Sequence, residues 1–327
     1  MKKRLLFSLL IAAISYTVSF GQQSPITIKK STTRHGPEKG SLIIIGGGGS
    51  TPKIWAKFTE LAGGKDKARI IVITTASGDS AEFSMSTVNS VKKGTGIENV
   101  TIVHTGDLEV ANSDKFVDLI NNATGVFFDG GRQWRPADSY LNTRAHQAFF
   151  DLLNRGGVIA GSSAGASIQG SFLWRGDTEG AQIQVGDHTQ GLGFLKNSVL
   201  DQHVMTRNRI FDLTDFIKQA PEMIGIGLEQ AIAVLVQRDT LTVIGKAYAL
   251  IFDYNTIIGN GPKHVVNGKE NYNASNGPFF FLHEGQQYDL KNRRVIEPAV
   301  AKTKVPAKNG KVAQKKAAKT AETGDEE

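Results

Sequence analysis

One serine in this chain sits among residues small enough to let the backbone turn sharply. Val158-Ile159-Ala160-Gly161-Ser162-Ser163-Ala164-Gly165-Ala166 holds a G-x-S-x-G pattern between an apolar strand and a small-residue helix start. That context lifts the Ser163 hydroxyl above a sheet as a nucleophile, with the amide of Ala164 placed to stabilise an oxyanion. A plain Gly/Ser-rich turn is the bland alternative. The chain has no cysteine, so covalent catalysis would fall to Ser, Thr, Lys or a carboxylate, and thiol nucleophiles, disulfides and Cys-based metal sites are excluded.

A nucleophilic serine needs a base, and seven histidines are available: His35, His104, His146, His188, His203, His264 and His283. His203 stands apart, because Val199-Leu200-Asp201-Gln202-His203 is an apolar run ending abruptly in three polar groups, with Arg207 and Arg209 close behind. Two arginines beside a candidate base suggest recognition of a carboxylate, which a guanidinium grips with two parallel hydrogen bonds. A solvated surface cluster is the competing reading. The chain order of an α/β-hydrolase esterase would instead use Ser163, Asp253 and His264 or His283.

Gly46-Gly47-Gly48-Gly49 invites a dinucleotide reading. Position 51 is Thr rather than the third glycine of that fingerprint, and no acid ends the run Ile71-Val72-Ile73-Thr74-Thr75. A loop bordering a pocket is the better expectation.

These groups need a scaffold. Apolar β-branched runs at Leu42–Ile45, Ile70–Thr74, Val100–Val103, Gly125–Phe128 and Val158–Ala160 are short and nearly continuous, as strands buried on both faces are. Between them, Ile54–Leu61, Ala81–Val91, Phe116–Ile120 and Tyr140–Leu153 have helical spacing. The alternation predicts an α/β fold, a doubly wound, mostly parallel sheet with functional loops at the carboxyl ends of its strands. After about residue 220, Met223–Ile226, Ala231–Val236, Leu241–Ile244, Tyr248–Phe252 and Pro278–Leu282 follow one another closely, which predicts an antiparallel C-terminal extension of the same domain.

The ends of the 327-residue chain carry most of its +7 charge. Residues 1–21 open Met1-Lys2-Lys3-Arg4, run apolar from Leu5 to Val18 and offer Ser19 and Gly21 as small residues. This is expected to be a signal peptide cut after Gly21, too short to span a membrane, which makes the protein exported, periplasmic or extracellular. Residues 22–39 form a lead-in, and residues 298–327, rich in Lys and Ala, a disordered tail. Lys2, Lys3 and Arg4 and the lysine excess of the tail leave residues 22–297 nearly neutral, so nucleic acid is not an expected partner.

Four elements together resemble a known family: Phe128-Asp129-Gly130-Gly131-Arg132-Gln133, Gly161-Ser162-Ser163-Ala164-Gly165-Ala166, Asp201-Gln202-His203 with Arg207 and Arg209, and Gly225-Ile226-Gly227-Leu228-Glu229. Their order and spacing resemble the cyanophycinase and dipeptidase E family of serine peptidases, over roughly residues 40–255, within a domain read as 40–297. The resemblance implies a flavodoxin-like, class I glutamine amidotransferase-like fold and no metal or organic cofactor. It implies Ser163 as nucleophile, His203 as base, and an oxyanion hole from the amides of Ala164 and of Gly131 or Gly130. Gln133, Asp201, Gln202, Arg207 and Arg209 are implied to line the substrate pocket. The family hydrolyses aspartyl or β-aspartyl peptides, which makes such a peptide the expected partner; a homodimer is the assembly entertained. The triad acid falls at Gln230 in an ungapped match and at Glu229 after a shift of one residue. Glu229 is the expected third member, and a catalytically impaired homologue that binds aspartyl peptides is the alternative. Asp212 stands where cyanophycinases tend to carry a third basic residue, suited either to a cationic side chain or to capping a helix.

Overall fold

A computed structural model describes residues 34–78, 81–259, 265–266, 269–270 and 278–296. The segment read as a signal peptide, His264 and the tail at 298–327 lie outside the described residues. Five strands form the parallel centre of a nine-stranded sheet: β1 (Ser41–Ile45), β2 (Ile70–Ile73), β3 (Val100–Val103), β4 (Gly125–Phe128) and β5 (Val158–Ser162). They lie in the order β1-β5-β4-β2-β3, with Ile45 in register with Ser162 and Phe128 with Gly161.

Alternation along these strands feeds two cores. Ile43, Ile45, Ile70, Val72 and Phe127 pack against α1 (Pro52–Leu61) and α2 (Ala81–Thr95) through Ile54, Trp55, Phe58, Val88 and Val91. Leu42, Ile44, Ile71, Ile73, Val126 and Phe128 face the other way, toward Phe116 and Ile120 of α4 (Asp114–Asn122) and Phe149 and Leu152 of α6 (Arg144–Asn154). A four-residue α3 (Leu108–Ala111) precedes α4. The sheet is therefore covered on both faces, as the strand-helix rhythm predicts.

The expected helix at Tyr140–Leu153 is two helices, α5 (Trp134–Tyr140) and α6. Asn142 takes φ +61° and breaks the run, and Thr143 caps the new start by accepting from the amide of His146.

The later strands divide. β9 (Ile232–Gln237) and β10 (Thr240–Gly245) extend the main sheet antiparallel from β1, followed by β15 (Gln287–Asp289) and β16 (Arg294–Ile296). A second sheet has the order β14-β11-β8-β7-β6: β6 (Gly170–Phe172), β7 (Leu195–Gln202), β8 (Ile224–Leu228), β11 (Ala249–Phe252) and β14 (Phe280–Leu282). Here β8 runs parallel to β7, unlike the antiparallel addition expected of Met223–Ile226. The connection explains this, because α8 (Asp212–Gln219) crosses over between them. Between β11 and β14 lie α9 (Tyr254–Ile257) and a two-residue ladder, β12 (Val265–Val266) with β13 (Lys269–Glu270). Among the described residues no helix is long and apolar enough to cross a membrane.

Candidate active site

Ser163 is the first residue after β5 and precedes the short helix α7 (Ala164–Ser167). Its backbone is held at φ +56° and ψ −114°, a conformation that costs a side-chain-bearing residue on the order of 1–3 kcal/mol. The surrounding contacts impose it. A Cβ at Gly161 would come within 2.1 Å of the Gly165 carbonyl oxygen, and one at Gly165 within 2.1 Å of that of Phe128. The glycines of G-x-S-x-G thus let three segments of backbone close on one another, with the Ser163 amide donating to Ile45 O at 3.1 Å.

His203 directly follows β7 of the second sheet. Its amide donates to Gly46 O at 3.2 Å and its φ is +57°. The turn aims the imidazole at the serine: Nε2 lies 2.9 Å from Ser163 Oγ, although 40 residues separate the two in sequence. The ring is buried, and this burial, with the charges of Arg207 and Arg209, pulls its pKa down to about 4 against the opposing pull of Glu229. His203 is therefore neutral near pH 7, as a proton acceptor must be.

Glu229, the expected third member, does not touch the imidazole. Its carboxylate accepts from the amides of Met205 at 2.6 Å and Thr206 at 3.0 Å and from the Thr206 hydroxyl, clamping the turn that follows His203. Burial pulls its pKa up, but those donors outweigh burial and hold it below the usual range. Gln230 stands at the ring instead, with Nε2 3.1 Å from His203 Nδ1. In that orientation the amide donates to Nδ1, which places the ring proton on Nε2 and makes His203 a donor toward the serine. Turning the amide by 180° offers Oε1 to an Nδ1–H and frees Nε2 to accept from Ser163.

The four-glycine loop belongs to this arrangement. A Cβ at Gly47 (φ +113°) would lie 2.1 Å from His203 Cε1, and one at Gly48 (φ +68°) 2.4 Å from Gln230 Oε1. Only glycine lets backbone press so closely on both side chains.

Of the amides expected to stabilise an oxyanion, that of Gly130 is taken by Asp129 Oδ1 at 2.6 Å. Gly131 and Ala164 remain. Gly131 is exposed, and its φ of +135° and contact with Ala76 O leave no room for a side chain. A cavity of about 770 Å³ opens beside Ser163 and His203, lined by Gly48, Trp55, Thr87, Lys93, Asp129 and Gly131 among others.

The residues expected to line a substrate pocket fall elsewhere. Asp201, Gln202, Gln133 and Arg209 are buried and bonded within the protein. Arg175 Nε donates to Asp201 Oδ1 at 3.2 Å, Trp174 Nε1 to Asp201 Oδ2 at 3.2 Å, Arg209 Nη1 to Gln202 Oε1 at 3.2 Å and Gln133 Nε2 to Trp174 O at 2.9 Å. Arg175, which the sequence reading did not single out, also pairs with Asp212 and so occupies the acid considered for a cationic substrate. This network fixes the base of the His203 turn. Arg207 alone among these cations is exposed. The alternative esterase set is not assembled around Ser163, since Asp253 pairs with Arg293 at 2.9 Å and His283 Nδ1 contacts Glu284 O at 3.2 Å.

A strained serine at a strand-to-helix turn, with a neutral imidazole 2.9 Å away, defines a serine hydrolase site. The profile of Peptidase family S51 matches residues 42–244, and the chain belongs to that family of serine-type peptidases. It is similar to the cyanophycinase of Synechococcus elongatus, 28% identical over 276 residues, covering 82% of this chain and 84% of the relative. It is likewise 27% identical to the cyanophycinase of Geminocystis herdmanii, over 80% of this chain and 96% of the relative. The fold is shared with the crystal structure of a peptidase from an acI-B1 Actinobacterium, with TM-score 0.56 and 21% identity, over 78% of this chain and 98% of the other.

Proposed function

We propose that the protein is an exported serine exopeptidase that hydrolyses aspartyl or β-aspartyl peptide bonds through an acyl-enzyme on Ser163. The observation that carries this reading is the 2.9 Å approach of His203 Nε2 to Ser163 Oγ. Ser163 Oγ attacks the scissile carbonyl while His203 Nε2 takes its proton, and the amides of Gly131 and Ala164 hold the oxyanion. His203 then passes the proton to the leaving amine, and water, activated by the same imidazole, releases the acyl group. Gln230, with its carbonyl turned to Nδ1–H, keeps the ring in the accepting tautomer. The similarity to cyanophycinases supports the aspartyl specificity, and the basic start and apolar run of residues 1–21 support export.

The test is incubation with a panel of α- and β-aspartyl dipeptides and cyanophycin, followed by mass spectrometry of the products. Wild type should release aspartyl products and Ser163→Ala none; unchanged turnover in that variant rejects the mechanism. Amino-terminal sequencing of protein recovered outside the cytoplasm should begin at Gln22, and a retained Met1 counts against export.

A second reading has one specific observation behind it. With Gln230 at the ring, the imidazolium formed on proton transfer has no carboxylate counter-charge, so the chain would bind aspartyl peptides while turning them over poorly. Stoichiometric labelling of Ser163 by a serine-directed phosphonate would exclude it.

A further inference from the structure

We propose that His188 is a positioning residue: protonated, it pins the segment that carries the Gly131 amide, and loss of that proton lowers turnover on the alkaline side. This rests on the peptidase reading of the same site and adds its control by pH.

The chain between β6 and β7 touches both halves of the site. Toward the base, Arg175 Nη1 donates to Ala181 O and Gln182 O, both at 3.3 Å, while its Nε donates to Asp201, two residues before His203. Toward the oxyanion segment there are three ties. Arg132 Nη2 donates to Asp177 O at 2.5 Å, Gln133 Nε2 donates to Trp174 O at 2.9 Å, and His188 Nε2 lies 2.8 Å from Asp138 Oδ1. Arg132 and Gln133 follow Gly131 directly, and Asp138 belongs to α5, which begins at Trp134. Only the His188 tie depends on a side chain whose charge ordinarily changes near neutral pH.

His188 is held from both sides. Its Nδ1 lies 2.7 Å from Asp187 Oδ1, and Asp187 Oδ2 accepts from Thr178 Oγ1 at 2.6 Å. A neutral imidazole has one N–H and can donate to one of the two carboxylates, whereas the imidazolium donates to both. Burial pulls the pKa of His188 down, but Asp187 and Asp138 outweigh it and hold it above the ordinary value of 6.5. Asp187 stays ionised, its own pKa held down to about 2 by Thr178 and His188. The ring also packs 5.9 Å from Trp134, with the Arg135 guanidinium 5.2 Å over that indole. Asp177 braces the loop by accepting from the amides of Glu179 at 2.8 Å and Asp187 at 3.3 Å. A group whose folded pKa is raised contributes fully below its unfolded value and loses that contribution as pH rises through the folded one. The tie is therefore complete in mild acid and slackens on the alkaline side. Slackening displaces the Gly131 amide from the oxyanion, so kcat falls while KM does not.

The test compares full-length wild type with His188→Gln and with Asp138→Asn, at an exposed position. Quenching of Trp134 fluorescence by the neighbouring imidazolium reports the proton. The wild-type pH trace minus that of His188→Gln should show one midpoint above 6.5, and Asp138→Asn should lower it. Amide hydrogen exchange of residues 130–134, corrected for the intrinsic effect of pH, should be slow in wild type below that midpoint and fast above it, and fast in His188→Gln on both sides. With an aspartyl dipeptide, wild-type kcat should fall about tenfold across the midpoint, a part of the roughly 10²–10³ that removing an oxyanion donor costs. His188→Gln should hold kcat at the low value throughout, with KM unchanged. Equal exchange in wild type and His188→Gln overturns the proposal whether or not the protein turns over peptide, and so does a kcat profile that His188→Gln leaves unaltered. pH-dependent exchange that His188→Gln abolishes, in a protein without turnover, upholds the pin and rejects the peptidase reading alone.

Discussion

Gln230 occupies the position beside His203 Nδ1 that a triad carboxylate would fill, while its neighbour Glu229 turns away to the amides of Met205 and Thr206. The imidazole is thus oriented by a neutral amide. Orientation and counter-charge, which one carboxylate ordinarily supplies together, are separated here: Gln230 can supply the first at the ring, while Glu229 acts on the imidazole only through its charge, without touching it.

Gln230→Glu should restore the counter-charge and raise kcat. In serine proteases with a Ser-His-Asp triad, replacing the aspartate by asparagine costs roughly 10⁴ in kcat, which sets the upper limit of the gain. Steady-state kinetics on an aspartyl dipeptide measures it, and an unchanged or lower kcat would show that the present amide already does all that the site allows.

His203 should stay neutral, and competent as a base, well into the acid range. Its pKa is lowered to about 4, so the acid limb of kcat/KM should have its midpoint near pH 4 rather than near the ordinary histidine value of about 6.5. Arg207→Ala removes one of the charges that lower it and should move the limb upward. A wild-type midpoint at or above 6.5 is the contrary result.

Glu229→Gln should loosen the turn behind His203. The carboxylate satisfies two backbone amides and one hydroxyl, and weakening these bonds should cost about 1–3 kcal/mol of stability. Denaturant unfolding reads the loss. Glu229 is a positioning residue, so kcat should fall while KM for a bound dipeptide changes little; a variant with wild-type stability and kcat would contradict this.

Asp129→Asn should stabilise the protein at neutral and alkaline pH. The folded pKa of about 6 lies above the ordinary aspartate value of 3.8, so the wild type loses stability as pH rises through that window and both states are protonated below it. The difference corresponds to roughly 3 kcal/mol as an upper bound. Unfolding at pH 8 should favour the variant and unfolding at pH 3.5 should not; an equal gain at both would assign the effect to packing.

The local patterns were legible because they are local. G-x-S-x-G announced its turn, since small residues on both sides of Ser163 are what the close contacts of Gly161 and Gly165 require, and strand-helix alternation announced a sheet covered on both faces. The pairing of His203 with Ser163 was suggested by motif resemblance, while the approach itself is made by two sheets meeting at Gly46.

Tertiary structure decided what spacing could not. Adjacent residues at the end of a strand point in different directions, and which of Glu229 and Gln230 meets the ring depends on Ala231 taking φ +58° and donating to Gly47 O at 2.8 Å. Arg175 is silent in sequence because its role comes from Asp201, 26 residues away and buried with it. By itself, then, the sequence determined the serine, its turn and the layered sheet, all properties of contiguous residues. The partner of the imidazole and the walls of the cavity come from segments distant along the chain, where packing alone sets the direction of a side chain.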